Sequence, residues 1–167
     1  VTRFAAFLRG VNVGGHGKLP MKAFAAALEV RGAKQVATYI QSGNVVFDGP
    51  AEPSVAHDMI VAAMADFDLE RPVLLLQCNE LLQLISDIPT SETVANRVMV
   101  YLHPGRSPQL DLPLAGTEAL HRLEGATILD APDGIGRSKA AAVLDKRLPQ
   151  PVTARNLATL TKTAALL

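Results

Sequence analysis

The chain has 167 residues, 49% of them apolar, and its 16 basic and 16 acidic side chains cancel. Such a length suits one domain, or two small ones sharing a core, and such an apolar share excludes a disordered chain. No apolar run reaches the 18 or so residues a membrane helix requires, no basic segment with an apolar core opens the chain, and a single cysteine, Cys78, rules out an internal disulfide. A cytoplasmic protein with no membrane partner is expected.

In chain order, Phe4 to Arg9 reads as a strand, followed by the glycine-rich loop "RGVNVGGHGK" from Arg9 to Lys18. Pro20 then opens a helix whose apolar residues Met21, Phe24, Ala25 and Leu28 recur at helical spacing until Gly32. "QVATYIQ" at Gln35 to Gln41 and "NVVFD" at Asn44 to Asp48, separated by Ser42-Gly43, read as a hairpin. A helix from about Ser54 to Phe67, with Val55, Met59, Ala62 and Ala63 on one stripe, and a strand at Arg71 to Gln77 complete the series. The order βαββαβ predicts an α+β protein with an N-terminal ferredoxin-like sheet over residues 1–78. Both faces of the first strand are apolar, so the smaller α/β part, residues 79–167, is expected to pack against the sheet.

That second part begins with a helix from Glu80 to Ile88, stopped by Pro89, and a strand at Arg97 to His103. A short helix near Thr117 to Arg122 and a strand "ATILDA" come next. "PDGIGRSK", Pro132 to Lys139, is a second glycine loop, opening a helix from about Ser138 to Arg147; a last helix is expected from "PVTARNLATLTKTAAL", capped by Thr153.

Zero net charge conceals a distribution. Residues 1–47 carry six cations against one acid, residues 48–133 four against fourteen, and residues 134–167 six against one. The pattern implies either a basic site assembled from both ends or ion pairing of the ends with the middle. Glycines that free backbone N–H groups beside a lysine are the parts of a phosphate cradle. The first loop nevertheless misses the P-loop pattern, with Asn12 at the position of the first glycine and Leu19 in place of the hydroxyl, and a turn whose glycines serve only positive φ is the alternative. In the second loop, Arg137 and Lys139 sit at a helix start, where cations oppose the helix dipole unless an anion is bound. Arg155, behind Thr153, reads the same way. The four histidines lack metal-ligand spacing and no serine or threonine has a nucleophile setting, so neither metal nor cofactor is expected.

The segments "FLRGVNVGGHGKLPM", "TYIQSGNVVF", "PDGIGRSK" and "TARN" together resemble, over nearly the whole chain, the bacterial family catalogued as domain of unknown function 1697. The resemblance implies a ferredoxin-like α+β fold with a smaller α/β part and no established activity. Family members usually carry a tryptophan after the terminal Arg-Asn pair; here Leu157 and Ala158 follow Asn156, so this chain has no aromatic to stack at that position.

The functional expectation is a phosphorylated ligand, nucleotide or nucleic acid, held in a basic cleft between the first loop and the C-terminal segments. Arg9, Lys18, Arg137, Lys139 and Arg155 would supply charge, Asn12, Gln41, Ser42, Asn44, Ser138 and Asn156 directional hydrogen bonds, and Gly14, Gly15, Gly134 and Gly136 close backbone approach. An enzyme using the same residues and a non-catalytic interaction protein are the alternatives.

Overall fold

The computed structural model describes residues 1–167 as two compact units, Val1–Leu81 with Lys162–Leu167, and Leu82–Thr161. The protein is α+β, with two antiparallel sheets.

In the first unit the succession is β1 (Thr2–Leu8), α1 (Met21–Val30), β2 (Lys34–Tyr39), β3 (Asn44–Gly49), α2 (Pro53–Ala65) and β4 (Val73–Gln77). This is the βαββαβ order expected from periodicity. The strands pair in the order β2-β3-β1-β4, with β1 antiparallel to both β3 and β4. Phe4, Ala6 and Leu8 share one face of β1 and pack with Val45 and Phe47 against Phe24 and Leu28 of α1 and Ile60 and Met64 of α2. The Phe4 and Phe47 rings, paired across the strands, lie with centroids 5.6 Å apart. Ala5, Phe7 and Val46, on the other face, are equally buried. Pro20 precedes α1 with φ already at −63°, and Gly32, at φ +99°, ends it with its N–H donating to Glu29 O.

The buried stripe of α2 is Ala56, Ile60, Ala63 and Met64. The expected stripe differs: Val55 is half exposed and Ala62 faces solvent. The helix is apolar nearly all round, so its sequence does not single out the face that the sheet takes. Arg3 closes the unit, donating to Asp48 and to the carbonyl of Leu166.

Helix α3 (Cys78–Asp87) begins at Cys78, which is half-buried. The second unit then builds β5 (Val98–Arg106), β6 (Ala119–Asp130), α4 (Lys139–Arg147) and β7 (Thr153–Asn156), with sheet order β6-β5-β7, and α5 (Leu157–Ala164) follows, its last three residues belonging to the first unit. Tyr101 and Leu129 on one sheet face pack against Ala140, Leu144 and Leu148. Two expectations fail here. The short helix near Thr117 to Arg122 is instead the start of the long strand β6. The segment from Thr153 to Asn156 is not a helix start but a strand, each residue paired with one of Met99 to Leu102 on β5. At Thr153 to Asn156, pairing with residues distant in sequence overrides a weak local preference. No helix of the chain is long and apolar enough to cross a membrane.

Candidate functional site

The first glycine loop is itself a tight β-hairpin. Val13 and His16 exchange both backbone hydrogen bonds (2.9 and 3.1 Å), Asn12 N–H donates to Gly17 O at 2.9 Å, and Gly14-Gly15, at φ +57° and +78°, form the two-residue turn. Two consecutive positive φ values are what a type I′ turn demands. The Asn12 side chain donates through Nδ2 to Leu19 O (2.8 Å) and Gln41 O (2.6 Å), while its Oδ1 accepts from Leu19 N–H (2.8 Å). Expected as a ligand contact, Asn12 instead spends its amide joining the loop to the β2–β3 turn. Asn44 is likewise internal, fully buried and donating to Tyr39 O and Ser42 Oγ. Gln41 and Lys18 are exposed, and Lys18 has no ionic or hydrogen-bond partner.

In the second unit, Gly134 has φ +97° and leads through a single 3₁₀ turn, Ile135–Arg137, into α4. Ser138 caps α4, its Oγ accepting from Ala141 N–H at 3.0 Å, so this hydroxyl also serves the fold. Beside the loop is a concavity of about 400 Å³ bounded by Arg97, Glu118, Asp133, Gly134, Arg137 and Ser138. It adjoins a second of about 350 Å³, which adds Lys139 and Leu114. Arg97 Nη1 donates to Pro132 O at 2.6 Å and Thr117 Oγ1 to Asp133 at 2.7 Å, which fixes the loop from both sides. Arg137 and Lys139 are exposed without a partner, and the first turn of α4 holds no acid. Gly136 has ordinary φ and open space where a Cβ would stand. Arg97, Thr117 and Glu118 were not singled out in the sequence, and only the chain path brings them to the loop; Asp133 lies in the loop itself and was not named as a site residue either.

Arg155 and Asn156 do not belong to this surface. Arg155 is 7% exposed on β7, opposite Val100, and donates to Thr153 Oγ1 and Ala154 O. Burial pushes its guanidinium down to about 10. Asn156, rather than Thr153, caps the last helix, accepting from Thr159 N–H at 2.8 Å. Of the two helix starts singled out in the sequence for this disagreement between cation and helix dipole, only that of α4 retains it.

The charge pattern also resolves. Arg3 meets Asp48 at 3.3 Å and Arg31 meets Asp66 at 2.7 Å, so two cations of the basic N-terminal segment pair with acids of the middle one. No group of three or more His, Cys, Asp or Glu side chains is placed to hold a metal.

One buried polar chain was not foreseen. His103 Nδ1 donates to Pro104 O (3.1 Å), Nε2 accepts from Thr127 Oγ1 (2.9 Å), and Thr127 Oγ1 is joined in turn to Ser107 Oγ. Burial lowers the His103 pKa, outweighing its bond to Pro104 and the charge of Glu124. The unfolded chain then binds the proton more readily than the native one, so stability present above pH about 6.5 is lost as pH falls through that value. Urea unfolding at pH 7.5 and 5.5 should show the loss, and His103→Gln should reduce the difference between the two.

No curated protein matches the chain. Among solved structures it is similar to the conserved bacterial protein SP0830 from Streptococcus pneumoniae, at 23% identity, with a TM-score of 0.74 over 99% of this chain and 98% of that one. A likeness at that identity concerns the fold alone. The family described as "Protein of unknown function (DUF1697)" matches residues 1–118, which include both hairpins of the first unit and stop before the Gly134–Lys139 loop. With more than two thirds of its residues matched from the first onward, the chain belongs to that family.

Proposed function

We propose that the second unit binds a phosphorylated ligand, a nucleotide or a phosphate of nucleic acid, in the concavity over Gly134 to Lys139. The observation that carries the reading is that Arg137 and Lys139 are both exposed and unpartnered at the start of α4, where their charges oppose the helix dipole. An anion in the concavity removes that conflict and gains two charge-assisted contacts. Gly136, whose glycine neither backbone nor packing requires, leaves room for close approach. A cytoplasmic setting suits the unpaired Cys78.

Thermal unfolding at low salt, with pyrophosphate, nucleoside triphosphates and short oligonucleotides in turn, tests the reading. A ligand at a hundred times its Kd stabilises by about 2.7 kcal/mol, or roughly 5 to 10 °C in Tm for a chain of this size. Arg137→Ala with Lys139→Ala should abolish the shift and keep or slightly raise the unliganded Tm. No shift with any probe, or an equal shift in the double variant, overturns it.

A further inference from the structure

The first unit carries a surface that this reading does not use. The Asn12 amide fastens two turns together, and the residues flanking that bond, Val13 and Ile40, are apolar and exposed, at 58% and 50%. Ile40 holds φ +51°, a conformation that a β-branched residue adopts only under strain. A glycine would sit there without strain, so the fold alone gives no reason for an exposed isoleucine. Gly14 and Gly15 have nothing within 4 Å of where a side chain would stand, so the hairpin tip is open. The His16 and Lys18 side chains are exposed without partners, as is that of Lys22 at the start of α1. No acid occurs between Arg9 and Leu28 or between Ala33 and Phe47.

We propose that this fastened pair of turns docks peripherally on an anionic lipid bilayer, with Val13 and Ile40 entering the headgroup boundary and Lys18 and its basic neighbours facing the anionic headgroups. An open, hydrogen-bonded tip that mixes aliphatic side chains with unpaired cations is complementary to a surface with charge outside and hydrocarbon beneath. Nucleic acid would match the charge but not the aliphatics. Base stacking calls for a free aromatic face, and Tyr39, the ring next to Ile40, already has Lys162 Nζ over it at 5.9 Å. The contact is peripheral and requires no spanning segment.

Cosedimentation of the full chain with vesicles of phosphatidylcholine and phosphatidylglycerol (7:3) at low salt is the test, with pure phosphatidylcholine vesicles and a single-stranded oligonucleotide as comparison arms. Binding to the anionic vesicles alone is expected. Val13→Asp should weaken it at least about tenfold, since burying one valine is worth that much, and Lys18→Glu by about fivefold or more. Arg137→Ala should bind vesicles like the parent, which separates this surface from the proposed phosphate site. Ile40→Gly should raise Tm while weakening vesicle binding, an outcome that a purely structural isoleucine cannot give. The proposal is overturned by absence of binding, by undiminished binding of Val13→Asp with native Tm, by a lower Tm in Ile40→Gly, or by an oligonucleotide that binds in place of the vesicles.

Discussion

Gly17→Ala is expected to lose about 2 to 5 kcal/mol of stability, a large share of what a domain of this size has. The residue sits at φ +64°, where an L side chain costs about 1 to 2 kcal/mol. A Cβ there would stand 2.1 Å from Gly10 O, a backbone atom that cannot turn aside as a side chain can. Overpacking of that kind adds about 1 to 3 kcal/mol. Gly14→Ala and Gly15→Ala provide the control, because both have positive φ but open space around the missing side chain. They should lose only the conformational part, about 1 kcal/mol each. Urea unfolding of the three variants decides it: equal losses at positions 14, 15 and 17 would mean that the close approach to Gly10 carries no weight.

This contrast bears on how much of the molecule can be read from its residues. The helical spacing of Met21, Phe24 and Leu28 carries α1, because one face of that helix is buried and periodicity records it, while the strands about Val36 and Val45 are marked by their β-branched residues. Where a helix is apolar nearly all round, as α2 is, periodicity does not single out the face that becomes buried. Where strand pairing is long-range and the local preference weak, as for Thr153 to Asn156, composition points to helix and the partner strand decides otherwise.

The candidate site shows the same division. Unfavourable cations at a helix start were legible at Arg137 and Lys139, since a helix dipole is a local property. Arg155 carried the same local signature, yet it lies in a strand and is buried. The surplus of charge at the N-terminal end was legible as an average but not as a partition. Arg3 and Arg31 have acidic partners from the middle segment, whereas Lys18 has none. Which cations remain for a ligand is thus a property of the fold and not of the count.

Asn12 gives the sharpest separation between a ligand contact and a structural joint. Asn12→Ala is expected to lose about 3 to 4 kcal/mol: three hydrogen bonds at about 1 kcal/mol each, with a further penalty because alanine tolerates φ +52° less well than asparagine. Two of those bonds run to the backbone of Leu19, which is fully buried, and the third to Gln41 O, so the lost partners lie in two separate turns. Asn12→Asp keeps the acceptor for Leu19 N–H but turns a carboxylate towards the carbonyls of Leu19 and Gln41, and it should be no better than alanine. A surface residue that only meets a ligand would change stability by no more than about 0.5 kcal/mol. Chemical denaturation of Asn12→Ala without any ligand therefore discriminates directly: a loss of several kcal/mol makes the first loop a joint that holds two turns in register, and a loss within about 0.5 kcal/mol returns Asn12 to the list of groups available for binding.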